Sequence, residues 1–425
     1  MNEGIPRMPG NQPRALAEHI SESRLWQFMM DLAQFGATAN GGVNRQALSE
    51  EDVAARNHVI RWAQEQGFAA FQDEIGNLFV RREGSEPRLA AVLTGSHLDS
   101  QPKGGRFDGA FGVAAGLEVL RAMNDAAVVT RRPIEVVAWT NEEGSRFSPG
   151  AMGSSIFARV RDLAAMLDVR DSGGILLRDA LKATLAGTTA TSRKTDGVKF
   201  HCYLEAHIEQ GPMLEEAGLS IGVVTGIQGI GRLAVDIVGE EAHAGTVPRR
   251  ARKDALSCAV AIVSALERAL SDEDDVLRFT VGRFEVFPGS PNTVPGRVYF
   301  TVDMRHPDDE ILRTARDRIR EVAMTAANRC SVTVTDISHV SPTIFSDDMV
   351  GLVSRSADML GYKQMRIPSG AGHDAMHLAK ICPTGMLFIP CLRGISHNEA
   401  ESITSEHAAA GTRVLAEAVF ALAKE

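Results

Sequence analysis

Short apolar runs with strand character alternate with helical patterns along the first third of this chain. That alternation restricts it to an α/β sheet with helices packed on its faces. The strand-like runs are 77–81, 89–95 and 134–140. Between the last two, Val113, Leu117 and Leu120 fall on one face of a helical pattern over 110–124. Residues 14–36 and 50–67 read as amphipathic helices ahead of the strands. Polar side chains that can bind metals bunch where the strands end, which is where open α/β sheets hold their sites.

The texture changes at about Ile221. Residues 221–239 are Gly-rich and β-branched, 253–270 turn helical, 278–287 and 296–305 read as strands, 309–327 as a helix and 331–337 as a strand. A β-α-β-β-α-β order of this kind is a self-contained split βαβ unit. Residues 348–360 then resume a helix and 384–390 a buried strand. At 425 residues the chain is too long for one simple core. The expected organisation is one α/β domain, 1–220 and 340–425, interrupted by an inserted domain, 221–339. GIQGIG, residues 226–231, has its glycines in the wrong order for a phosphate loop and precedes a strand, so it reads as the bend into the insert.

Composition closes off several classes of function. Hydrophobic residues at 44% and charged residues at 23% are ordinary for a soluble globular chain. A net charge of −9 leaves no basic footprint for nucleic-acid phosphates. The opening MNEGIPRMPGNQPRALAEH lacks an apolar core of signal-peptide length, and no later stretch reads as a bilayer span. Neither nucleic acid nor membrane is an expected partner. Cys202, Cys258, Cys330, Cys382 and Cys391 contain no C-x-x-C pair, which fits reduced thiols and an expected cytoplasmic location.

Four stretches carry candidate chemistry. TGSHLDSQPKGGRFDG, residues 94–109, puts His97 at a strand end and Asp108 at a helix start. Imidazole and carboxylate are zinc-type ligands, and Asp99 is placed to orient His97 through its second ring nitrogen. Taken singly, each of these residues is as readily part of a solvated loop. WTNEEGSRF, residues 139–147, follows a strand directly, and adjacent Glu142 and Glu143 need a cation or solvent between them. At a metal site one carboxylate ligates while the other takes a proton from water; on the pair alone, an exposed acidic turn is the commoner outcome. In YLEAHIEQGPMLE, residues 203–215, Glu205, His207 and Glu209 share strand parity and could line one face. GISHNEAE, residues 394–401, sets His397 in a polar loop after an apolar strand. His19, His58 and His407 have no such context.

HLDSQPKGGRFDG, TNEEGSRF, EAHIEQGP, EEAHAGTVP, PNTVPG, VDMRH, SGAGHDA and GISHNEAE follow one another in this order. With these motifs the chain, from about residue 20 onward, resembles the amidase/hydantoinase/carbamoylase group of the zinc-dependent exopeptidase superfamily, which also contains aminoacylase and carboxypeptidase G. The resemblance implies a two-domain α/β metallo-exopeptidase-like fold whose insert is a ferredoxin-like lid and dimerisation domain. It also implies two divalent ions per subunit, Zn²⁺ or else Mn²⁺, Co²⁺ or Ni²⁺. His97 and His207 would ligate one ion, Glu143 and His397 the other, and Asp108 would bridge them. Glu142 would be the general base. The position of His207 is usually a carboxylate in the peptidase branches, so the histidine favours the carbamoylase group.

The insert would supply substrate contacts. In GRVYFTVDMRH, residues 296–306, apolar and polar side chains alternate, and the polar face ends on Arg305. The resemblance makes Arg305 a fork onto a substrate carboxylate, a task lysine does poorly. It further implies substrate hydrogen bonds from Asn292 and Gln210, and a carboxylate cradle from the backbone of Gly370, Ala371 and Gly372. His243 would stabilise an oxyanion in the partner subunit's site, making the homodimer share its active sites. His373 and Asp374 belong to the matching motif without a role. The activity implied is hydrolysis of an N-carbamoyl-L-amino acid or 3-ureidopropionate to amino acid, ammonia and carbon dioxide, with the lid closing over the substrate. Allantoate is the nearest alternative, and residues 101–103 lean towards the carbamoylase and ureidopropionase members. Aminoacylase or dipeptidase activity is a further alternative. A non-catalytic binding protein of the same fold is disfavoured because Glu142 and all five ligands are present.

Overall fold

The computed structural model describes residues 15–193, 195, 198–272 and 274–425. Residues 1–14, read above for a signal peptide and as the start of the first helix, lie outside the described residues. Contacts gather the chain into two units. The first takes the chain up to Thr225, then Phe345–Ile367 and His373–Glu425; the second holds Gly226–Ile344 and Pro368–Gly372. The crossing falls at 225/226 rather than 220/221 because the strand Ile221–Ile227 begins inside the first unit's sheet. There it pairs with Thr384–Ile389 through Gly222, Val223 and Val224.

At the centre of the first unit, Val92–His97 runs parallel to Ile134–Trp139 on one side and to Cys202–Ile208 on the other. Cys202–Ile208 in turn runs parallel to Thr384–Ile389. Every residue of these four strands is buried, the pattern of parallel strands covered on both faces. The helix Ala110–Asp125 buries nearly its whole circumference, packing on Val92–His97 and on the helix Ser405–Ala423. Because the central strands are parallel, their carboxyl ends emerge on one edge, and the site is built there.

Two elements differ from the sequence reading. The helix expected over 14–36 is broken into a 3-10 turn, Leu16–His19, and a helix, Glu22–Leu32. Ser21 makes the break by capping the second piece, its hydroxyl accepting from the Arg24 amide. The strand expected at 89–95 lies at Val92–His97, which carries His97 to the strand's very end. No helix among the described residues is long and apolar enough to cross a membrane.

The second unit runs strand Gly229–Val238, helix Ala255–Ala269, strands Arg278–Phe287 and Arg297–His306, helix Asp309–Ala326 and strand Ser331–Val340. Its four strands form an antiparallel sheet in the spatial order second, third, first, fourth. Val298, Phe300, Val302 and Met304 face a core shared with Ile262, Leu266 and Ile319 of the two helices. Tyr299, Thr301, Asp303 and Arg305 alternate with them on the half-buried face.

Candidate metal and catalytic site

Each central strand of the first unit delivers one part of a single cluster. His97 is the last residue of its strand, and His207 lies near the end of Cys202–Ile208. Glu142 and Glu143 follow Ile134–Trp139, and His397 lies in the loop after Thr384–Ile389. Asp108 stands just before the helix Ala110–Asp125, separated from it by Gly109 at φ +65°. A Cβ on Gly109 would lie 2.3 Å from the His97 ring, so a side chain there would push the helix start off the imidazole.

The Asp108 carboxylate is shared between two sets of side chains. Its Oδ1 lies 3.7 Å from His97 Nε2 and 3.2 Å from His207 Nε2. Its Oδ2 lies 3.4 Å from His397 Nε2, which is itself 3.3 Å from Glu143 Oε2. His97, Asp108 and His207 therefore form one group with ligand atoms within 4.8 Å of one another, and Asp108, Glu143 and His397 form a second. The Nδ1 atoms of His97 and His207 each pair with a backbone carbonyl at 2.9 Å, of Asp99 and Ile208 respectively. That arrangement puts the proton on Nδ1 and turns the Nε2 lone pair inward, as a metal ligand requires.

Asp99 works differently from the sequence reading. Its backbone carbonyl, not its carboxylate, occupies the second ring nitrogen of His97; the carboxylate is 4.0 Å from that atom. Freed from the ring, the carboxylate accepts the amides of Glu142 and Glu143 at 3.1 and 3.2 Å and fixes the turn that carries both. Gln101, not read from the sequence as a site residue, donates its backbone and side-chain N–H groups to the two oxygens of Glu143, at 3.1 and 2.8 Å. Glu209 shares strand parity with Glu205 and His207 but turns away to cap the next helix, accepting Met213 and Leu214 amides at 2.8 and 2.9 Å. Glu205 is buried, receiving the Ser96 hydroxyl at 2.7 Å and the Ala375 amide at 3.2 Å. The His373 ring lies 4.4 Å from that of His207, and these two histidines with Glu205 make a third compact group.

The electrostatics of this pocket call for cations. Burial, then Asp108, pushes the Glu143 carboxyl up to about 8. Burial, then Asp374 and Glu143, holds Glu142 well above the ordinary carboxylate range. Burial, then Asp52, raises Asp99 to about 7, and burial with Glu205 raises Asp374 well above its usual value. Burial alone would lower His207, but hydrogen bonding and charge from Asp108 hold it at about 9, whereas burial takes His97 down to about 4. Against so many desolvated carboxylates stand the raised imidazoles of His207 and of His397, which its hydrogen bond to Asp108 lifts to about 9, and the mixed imidazole and carboxylate donors suit divalent zinc, manganese, cobalt or nickel. The residues fit the dinuclear centre expected from the sequence.

Gln210 belongs to the first unit, whereas His243, Asn292, Arg305 and residues 370–372 belong to the second. His243 Nδ1 accepts the Gly245 and Thr246 amides at 3.1 and 3.2 Å, which leaves the ring proton on Nε2 as an outward donor. Asn292 sits beside it: its carbonyl accepts the Ala244 amide at 3.0 Å, and Thr293 pairs with His243 across a two-stranded ribbon. Arg305 is held by Asp303 Oδ1 at 3.0 Å and by the carbonyl of Gly370 at 2.9 Å. That contact sets its guanidinium against the turn of Gly370, Ala371 and Gly372, closed by the Ala371 amide to Ser369 Oγ at 3.2 Å.

The chain is similar to known proteins over most of its length. The model of peptidase family M20/M25/M40 matches residues 93–421. An N-carbamoyl-L-amino-acid amidohydrolase of Rhizobium meliloti is 40% identical over 409 residues, covering 95% of this chain and 97% of that protein. An enzyme of the same description from Geobacillus stearothermophilus is 40% identical over 412 residues, covering 95% and 99%. Among solved structures, an amidase of the hydantoinase/carbamoylase family from Burkholderia multivorans superimposes with a TM-score of 0.90. It is 44% identical, with 96% of this chain and 98% of that chain covered.

Metal affinity should depend steeply on pH. A divalent ion must displace the protons held by Glu143 and His207, at about 8 and about 9, so affinity falls as pH drops below those values. Each displaced proton contributes roughly tenfold per pH unit. Calorimetric titration of the metal-free protein in buffers of different ionisation enthalpy should show proton release on binding. Affinity that stays flat between pH 6 and pH 9, roughly the span over which these groups titrate, would contradict the assignment.

Proposed function

The chain belongs to peptidase family M20/M25/M40, and on that premise we propose that it hydrolyses the carbamoyl C–N bond of an N-carbamoyl-L-amino acid or of 3-ureidopropionate. The observation that carries the reading is the Asp108 carboxylate shared by two ligand groups, with Glu142 Oε2 3.5 Å from His97 Nε2 at their edge. Gln210 favours the ureido class over acylated amines. Its Nε2 donates to Asp108 Oδ2 at 2.9 Å, and its buried Oε1 has no hydrogen-bond partner among the described residues. The terminal amino group of a ureido substrate supplies a donor for that oxygen, where an acyl chain offers only carbon.

Two divalent ions, when bound, supply Lewis acidity that polarises the scissile carbonyl and makes a water easy to deprotonate. Glu142 takes the proton of that water as it attacks the carbamoyl carbon, then hands it to the amino-acid nitrogen as the C–N bond breaks. Its raised proton affinity, from burial and neighbouring carboxylates, suits a group that must hold a proton between the two transfers. The departing carbamate falls apart to ammonia and carbon dioxide, so one water is consumed for each amino acid released. His243 donates from Nε2 to the oxyanion, and Arg305 with the 370–372 turn receives the substrate carboxylate. On this reading the second unit closes over the substrate and forms the homodimer contact, with each His243 serving the other subunit.

An ammonia-release assay across N-carbamoyl amino acids, 3-ureidopropionate, allantoate and N-acetyl amino acids, with divalent ions and with chelator, tests the reaction. Turnover should be confined to the first two classes and require the ion. Glu142→Gln should lower kcat at least about 100-fold with metal content kept, and Glu143→Gln should lose metal instead. Turnover of allantoate or N-acetyl substrates alone, or full activity in the metal-free protein, would overturn the reading.

Sharing of the site is tested by a mixed dimer of Glu142→Gln and His243→Ala chains isolated with two tags. Each variant alone should be nearly inactive. The mixed dimer should recover one working site of its two, because the His243→Ala chain keeps its own Glu142 and borrows an intact His243. A verified mixed dimer without activity would place His243 in its own subunit's site.

A further inference from the structure

We propose that Glu401 is a positioning residue that clamps the loop of the bridging Asp108 to the loop of His397, and so sets the affinity for the second ion far more than that for the first. This rests on the dinuclear reading above. Glu401 is 1% exposed, and neither its motif nor the reaction assigns it a task. Its Oε1 accepts the amides of Phe107 and Asp108, both at 3.0 Å, and its Oε2 accepts the Ser396 hydroxyl at 2.9 Å. Ser396 Oγ also lies 3.3 Å from Asp108 Oδ2, and Ser396 directly precedes His397. One buried carboxylate thus reaches both loops. Space for it is made by Gly105, where a Cβ would fall 2.0 Å from the Glu401 carboxyl group.

The two ions stand on unequal scaffolds. His97 and His207 are buried in central strands, and backbone carbonyls fix their rings. Glu143 is gripped at both oxygens by Gln101. His397 has no such grip among the described residues: its side chain is 51% exposed and its φ is +53°. Its loop is tied down through the Ser396–Glu401 contact and through a turn in which the Glu401 amide donates to the Asn398 carbonyl at 3.0 Å. Gln210 Nε2 donates to Ser396 Oγ at 3.2 Å, and Thr38 and Asn40 donate to Glu399. Loss of the carboxylate loosens the stretch next to the second ion's histidine and leaves the first ion's pair anchored.

The test is calorimetric titration of metal-free protein with Zn²⁺, with bound metal counted by elemental analysis and folding followed by circular dichroism. His397→Ala identifies which binding step belongs to the second ion. Glu401→Ala should weaken that step by roughly 10- to 100-fold, the usual effect of losing an outer-shell partner, and weaken the other step, which shares only Asp108, much less. Glu401→Gln keeps an acceptor oxygen for the two amides and should restore most of the loss. If Glu401→Ala fails to fold, Ser396→Ala decides, with selective weakening of the same step expected. Unchanged affinities in a folded Glu401→Ala or in Ser396→Ala, or equal loss at both steps, would overturn the proposal. Uptake of a single ion by the unaltered chain would overturn the dinuclear reading itself, and this proposal with it.

Discussion

A carboxylate facing two ways organises the first unit: Asp108 sets one oxygen 3.2 Å from His207 and the other 3.4 Å from His397. For that to happen, strands distant in sequence must end at the same level, and the helix Ala110–Asp125 must begin against the His97 ring. Parallel pairing of the four central strands meets the first condition, and glycine at 109 meets the second. The fully buried strands and the helix buried nearly all round give the rigidity that would keep a candidate ligand set in place before any ion arrives.

Around that carboxylate a second layer of hydrogen bonds settles the direction of most of the candidate ligands. Backbone carbonyls choose the tautomers of His97 and His207, Asp99 holds the turn of Glu142 and Glu143, and Gln101 orients Glu143. The consequence is a pocket where acids are desolvated faster than they are neutralised, so their proton affinities rise. Protons and a bound metal ion would compete there for the same oxygens, which would tie metal loading to pH. The second unit uses the same device on a small scale, since two backbone amides on Nδ1 fix His243 as an Nε2 donor.

Much of this was legible in the sequence. Strand ends followed by His97, by Glu142 and Glu143, and by the loop of His397 mark positions where apolar alternation gives way to ligand chemistry, and the structure gathers them with Asp108 and His207. The β-α-β-β-α-β order of the insert also shows, because each of its elements has a clean period. What sequence reading could not reach was direction. Asp99 and its own carbonyl compete for one ring nitrogen, and residue type cannot say which wins. Glu209 has the parity of a site residue, but the strand ends at Ile208, so parity no longer governs it. Gln101 and Glu401 act on ligands 42 and 293 positions away, through contacts only the fold creates. The helix Ser405–Ala423 lay outside the sequence reading because its polar edge of Glu406, Arg413 and Glu417 is narrow against a buried, alanine-rich remainder.

The central claim is that Asp108 joins two metal positions into one reactive centre. Anomalous diffraction from crystals of the protein soaked in Zn²⁺ or Mn²⁺ tests it without reference to any substrate. The account predicts two peaks about 3.5–4 Å apart. One would lie among His97, His207 and Asp108 Oδ1, the other among Glu143, His397 and Asp108 Oδ2. A single peak, or two peaks that do not have Asp108 in common, would contradict it.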